Sequence, residues 1–172
     1  MKRVVLVVLL ATSSYAGLKD ISSFEADFTQ NILDDKGTKI EYSGHITATK
    51  QKFALWQYIK PIEKSVYILS NKIIVIEPEI EQAIIKHIDE NFDLFRVIQS
   101  ANKIAKNKYL AKFNNKSYLI EMNGDKISSI SYQDELENNI QIFFHNQKVN
   151  VKIAKERFIP VIPDEYDVIR EK

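Results

Sequence analysis

The chain has 172 residues, with 24 Lys+Arg set against 23 Asp+Glu and no cysteine. A formal charge of +1 leaves no cationic footprint for a nucleic acid, and the missing thiols exclude a disulfide framework, a thiolate metal site and a cysteine nucleophile. The length suits one domain able to bury its own core, which 9 Phe and 8 Tyr make aromatic-rich while 4 Gly and 4 Pro punctuate it sparsely.

Met1-Lys2-Arg3 is a basic n-region, residues 4–11 form a short apolar h-region, and Ser14-Tyr15-Ala16 is a cleavage triplet with a small residue at each outer position. The apolar run falls far short of the ~20 residues that a bilayer crossing needs. Residues 1–16 are therefore expected to be a cleaved signal peptide, and residues 17–172 one exported domain with no cysteine after the triplet to carry a lipid.

Leu18 and Ile21 suggest a turn or two of helix. Phe24, Ala26, Phe28, Gln30 and Ile32 then alternate with Glu25, Asp27, Thr29 and Asn31, the pattern of a half-buried strand. Asp34-Asp35-Lys36-Gly37 is a hairpin turn into a second strand over residues 40–49, where Gly44 predicts a bulge or bend. Residues 53–78 organise the rest of the chain. Their apolar runs are split by Lys60-Pro61 and Ser70-Asn71 and closed by Pro78, as successive antiparallel strands would be. Residues 79–87 suit helix or strand equally. Over residues 89–105, Phe92, Leu94, Phe95, Val97, Ile98, Ala101, Ile104 and Ala105 recur at three and four, predicting a helix capped by Asp89 or Asn91 and interrupted near Ser100.

Residues 109–113, 117–123, 126–133 and 140–146 read as four strands joined by Asn-rich turns, with Asn123-Gly124 the sharpest hairpin signal. Val149, Val151 and Ile153 alternate again, residues 155–158 suit a short helical turn, Pro160 and Pro163 forbid regular structure, and residues 167–169 suit a closing strand. The fold expected is mainly β: an unclosed, strongly curved antiparallel β-barrel of about ten or eleven strands with a helical lid. Under that lid lies either a packed core or a hydrophobic cavity.

Little in the chain carries chemistry. His45, His87 and His145 fall in separate extended segments without metal-ligand spacing, and there is no nucleophile elbow or glycine-rich phosphate loop. Asp27, Asp89, Asp93 and Asp134 are scattered, and Lys103, Lys106, Lys108, Lys112 and Lys116 read as a solvated rim. No catalytic residue, metal or cofactor is expected.

Three blocks resemble one family. Ser23-Phe24-Glu25-Ala26-Asp27-Phe28-Thr29-Gln30 matches an S-F-x-A-x-F-x-Q opening. Gly44, Phe53-Ala54-Leu55-Trp56-Gln57-Tyr58, Pro61 and Glu81-Gln82-Ala83 follow in order, and Asn146-Gln147-Lys148-Val149-Asn150-Val151, Phe158, Pro163 and Asp167-Val168-Ile169 close the series. Together they resemble the periplasmic lipoprotein carriers of Gram-negative bacteria, the LolA family. That resemblance implies a periplasmic, monomeric chaperone without enzymatic activity. It would take acylated cargo from an inner-membrane ABC transporter, shield the acyl chains and pass them to an outer-membrane receptor. It implies a lid tethered by an arginine ahead of the F-x-W segment, where Lys50-Gln51 stands here, so Lys50 is the expected tether, with its charge but without the planar fork of donors.

The cavity lining expected is Phe28, Ile46, Trp56, Tyr58, Phe92, Phe95, Ile98, Tyr118 and Phe144, with Trp56 from the sheet and Phe95 from the lid foremost. Two other readings stay open: a carrier or sensor of another lipid or glycolipid with the same cavity, and an exported structural β-protein with a solid core.

Overall fold

The computed structural model describes residues 18–50, 53–87 and 94–171. The signal-peptide stretch 1–16, Gln51, the caps Asp89 and Asn91, and Phe92 lie outside the described residues. The strands are β1 (Ser23–Leu33), β2 (Lys39–Thr49), β3 (Phe53–Lys60), β4 (Lys64–Ile68), β5 (Lys72–Glu77), β6 (Gln82–His87), β7 (Asn102–Ala105), β8 (Lys108–Phe113), β9 (Lys116–Asn123), β10 (Lys126–Gln133), β11 (Asn139–Val149) and β12 (Asp167–Glu171). One helix, α1 (Leu94–Ser100), stands between β6 and β7.

All twelve strands form one sheet in the order β12-β6-β5-β4-β3-β2-β1-β11-β10-β9-β8-β7. Two hairpin meanders therefore lie side by side, joined where β1 pairs with β11, with Phe28 opposite Phe144 in one direction and opposite Gly44 in the other. Local chemistry sets the turns. Asp34 Oδ1 accepts the amides of Lys36 at 3.0 Å and Thr38 at 2.7 Å, and Asp134 Oδ1 accepts those of Leu136 and Asn138, both at 2.9 Å. Gly124 supplies the positive φ of 64° that its tight turn requires.

The structure corrects the expected barrel. The sheet is open and mainly β, as expected, but it is not strongly curled. Register shifts occur in four pairs of the described strands, but strong curvature also calls for glycine kinks repeated across a sheet. Only Gly44 among the described glycines lies within a strand, whereas Gly37 and Gly124 serve turns. The described residues hold twelve strands, and β12 pairs parallel to β6, with Asp167 opposite Gln82. The helix also ends earlier than its apolar spacing predicts. Ser100 Oγ donates to the Val97 carbonyl at 3.0 Å and the Ala101 amide turns back to the Ile98 carbonyl at 3.2 Å, after which β7 pairs with β8.

Both faces carry cover. The face bearing Phe24, Phe28, Ile46, Trp56, Ile130 and Phe144 packs under α1 in the main apolar cluster. Across the opposite face runs the segment 150–166. There Phe158 stacks on Phe53 with centroids 5.7 Å apart, and Arg157 Nη2 reaches Thr47 Oγ1 at 3.4 Å. Further along, Ile162 and Tyr166 pack on a smaller cluster of Ile74, Ile76 and Ala83.

Candidate functional site: an apolar sheet face and its helical cover

Alternation along β1, β2, β3 and β11 delivers Phe28, Ile46, Trp56 and Phe144 to one face. Their rings interlock: Phe28 meets Trp56 edge-on at 5.1 Å and Tyr58 edge-on at 5.1 Å, while Phe24 meets Phe144 edge-on at 5.2 Å. From above, α1 presents Leu94, Phe95, Val97 and Ile98, all buried, and turns Arg96 and Gln99 outward. Its apolar stripe rests against β8 and the 3-10 turn Leu18–Asp20.

Seven of the residues expected to line the cavity, Phe28, Ile46, Trp56, Phe95, Ile98, Tyr118 and Phe144, belong to this single cluster, each no more than 7% exposed. Tyr58 is half-buried against it, and Phe92 lies outside the described residues. In the state described, α1 is closed on the sheet. The expected lining leaves out Phe24 and Val97, although the sequence places them on the same strand face and helical stripe as Phe28 and Phe95, and also Ile120 and Ile127; all four are as deeply buried as any of these.

Polar groups mark the margins. The Tyr58 hydroxyl donates to Gln30 Oε1 at 3.0 Å, and burial, then the neighbouring Tyr132 and Tyr42, push its ionisation far above the ordinary phenol range. Burial, with Tyr118 and Asp134 nearby, likewise raises Tyr132 to about 12. On the opposite face Asp27 accepts from Asn146 Nδ2 at 2.7 Å and lies 2.9 Å from His45 Nδ1, and those two contacts hold its carboxyl below the usual range. Lys50 sits exposed just past β2, its amide donating to the Ser22 carbonyl at 2.8 Å, beside a depression of about 470 Å³ that Phe53 and Phe158 also line. Among the described residues no group of three or more His, Cys, Asp or Glu side chains is placed to hold a metal ion. No described helix is long and apolar enough to cross a membrane.

A family model described as outer membrane lipoprotein carrier protein LolA matches residues 19–97. The outer-membrane lipoprotein carrier protein of Campylobacter jejuni is 38% identical over 151 residues, 88% of either chain. That of Wolinella succinogenes is 29% identical over 172 residues, 99% of this chain and 100% of the relative. Among solved structures, an uncharacterised conserved protein from Thermus thermophilus superposes with a TM-score of 0.56 at 10% identity, over 91% of this chain and 95% of that one. A LolA superfamily protein from Nitrosomonas europaea gives 0.52 at 8% identity, over 85% and 94%. These two likenesses carry the fold alone.

Proposed function

The chain belongs to the LolA family of outer-membrane lipoprotein carrier proteins, and on that premise we propose that the apolar sheet face and α1 together form its acyl-chain site. The protein is a periplasmic carrier that takes lipoproteins to the outer membrane and performs no chemistry of its own. Each acyl CH₂ left in water costs about 0.8 kcal/mol, so a carrier must replace water around most of the chain. Phe28, Trp56 and Phe144 on the sheet, with Phe95 and Ile98 on the helix, are the surfaces that would do so.

The observation that carries this reading is the mismatch between cover and face. Over residues 94–100 the helix presents four buried apolar side chains to a much larger apolar face. An isolated helix of a few turns has little stability of its own in water. It depends on what it buries, and an acyl chain offers the face an equivalent partner. Displacement of α1 by cargo is then close to an exchange of apolar contacts, which keeps affinity low enough for release. Lys50 is the proposed tether of the closed cover. Its point charge lacks the fork of an arginine, so apolar burial dominates the closed state. The proposed donor of cargo is an inner-membrane ABC transporter, and the proposed acceptor an outer-membrane receptor.

Phe95→Glu tests the site. The variant is expected to keep the β-sheet signature in circular dichroism and to lose release of a lipidated protein from spheroplasts. Release at the wild-type level by the folded variant contradicts the proposed site.

A further inference from the structure

A band of polar tips crosses one part of the apolar face, which continues past it through Ile32 on β1 and Ile140 on β11. On five strands a hydrophobic or small residue gives way, two positions on, to one with a polar tip: Phe28 to Gln30 on β1, Gly44 to Tyr42 on β2, Trp56 to Tyr58 on β3, Val66 to Lys64 on β4 and Ile130 to Tyr132 on β10. A step of two keeps each on the same face. The register sets Gln30 opposite Tyr42 and Tyr58 opposite Lys64. The contacts draw them into one band. Tyr58 donates to Gln30, its ring lies edge-on to Tyr42 at 5.7 Å, and the Lys64 ammonium stands 4.7 Å from the Tyr58 ring centroid and 5.3 Å from that of Tyr42. Tyr132 lies close enough to Tyr58 to raise its ionisation, and its ring meets Tyr118 of the apolar cluster at 5.0 Å.

The band is rich in donors. The Tyr58 proton is committed to Gln30 Oε1, which leaves the Gln30 amide nitrogen, the Tyr42 and Tyr132 hydroxyls and the Lys64 ammonium. Among the described residues none of these four meets an acceptor or pairs with a carboxylate, the ammonium being held by ring faces instead. A donor-rich band bordering an apolar face fits a ligand that is hydrocarbon along its length and ends in acceptor oxygen. Every acyl chain is such a ligand, because the hydrocarbon ends at an ester or amide carbonyl. A carbonyl drawn out of water without a donor loses its hydrogen bonds, and a donor placed at the margin restores them.

We propose that Gln30, held by Tyr58, together with Tyr42, Lys64 and Tyr132 forms a head subsite that hydrogen-bonds the carbonyl oxygens of the cargo's acyl chains. The inference rests on the carrier reading above and adds a polar register to it. The apolar face accepts hydrocarbon of any kind, while the band sets how far the chains enter and distinguishes acyl from alkyl.

The test measures displacement of an apolar fluorescent dye by a dipalmitoyl-glyceryl cysteine peptide and by its ether-linked dihexadecyl analogue, which lacks the ester carbonyls. Wild-type protein is expected to bind the ester about tenfold more tightly. Lys64→Met keeps the apolar stem and removes the donor, and Gln30→Leu with Tyr58→Phe removes a hydrogen-bonded pair together. Each is expected to cut the preference to within about threefold. Equal binding of the two lipids by the wild type, or a preference undiminished in both variants, overturns the subsite and leaves the carrier reading standing. Failure of both lipids to displace the dye from the wild type overturns the carrier reading and the subsite together.

Discussion

A Cβ added at position 44 would run into the carbonyl oxygen of Gln57 and come within 2.9 Å of Phe28 Cζ. Neither neighbour has room to give, since one is backbone of the adjacent strand and the other a core ring 2% exposed. The register of β2 on β3 also shifts between Ser43 and Gly44, so the strand meets β3 through a bulge at the one position without a side chain. Gly44→Ala is expected to cost about 3 kcal/mol or more in urea unfolding. A loss under about 0.5 kcal/mol contradicts the close approach.

Asp27, half-exposed, titrates below an ordinary carboxyl because Asn146 and His45 bind its ionised form. A depressed folded pKa stabilises the protein above the unfolded value of about 3.9, and that contribution disappears as pH falls through the folded value. Asp27→Asn is therefore expected to be less stable than wild type near pH 6, with the difference shrinking as pH falls through the lowered folded pKa. A difference that does not change with pH contradicts the assignment. Residues of this kind were hard to read in sequence. Asp27, His45 and Asn146 lie in three strands, and only the register that sets Asp27 opposite both His45 and His145 brings them together. The apolar positions were easier, because Phe28, Ile46, Trp56 and Phe144 each follow the period of their own strand.

Among the elements, α1 shows where periodicity stops discriminating. Ile104 and Ala105 satisfied a helical spacing, yet they lie in β7, with Ile104 57% exposed. In a short apolar run, spacings of two and of three or four coincide often enough that pairing decides. The same holds for β6, whose sequence suited either state until β5 lay alongside it. The parallel partner of β6 comes from the far end of the chain, fixed by the Asp167 amide donating to the Glu81 carbonyl at 2.9 Å, and no local pattern encodes that. What the sequence did state plainly was an apolar stripe on a helix placed between two hairpin series. Lying outside the paired strands, α1 is expected to exchange its amide hydrogens far faster than β1 and β11 at the centre of the sheet. Bound acylated cargo should leave the central strands unchanged and alter exchange over residues 94–100. Protection of α1 equal to that of the central strands, with and without cargo, contradicts a movable cover.

At the scale of the molecule, the sheet is a wall with two differently finished sides. One side is braced permanently by the segment 150–166, through Phe158 on Phe53 and Ile162 and Tyr166 on the smaller cluster. The other is covered by α1. That asymmetry suits a carrier, whose wall must persist while its cover moves. The compartment, the strand order within each hairpin series and the greasy face followed from local patterns. The degree of curl did not, because it depends on how twist accumulates over twelve strands rather than on any one of them. The central claim is that the covered face carries lipoprotein acyl chains, and native mass spectrometry of the protein recovered from a Gram-negative periplasm tests it most directly. The account predicts a one-to-one adduct with an acylated protein, lost in Phe95→Glu. A glycolipid adduct, or wild-type protein that is always empty, contradicts it.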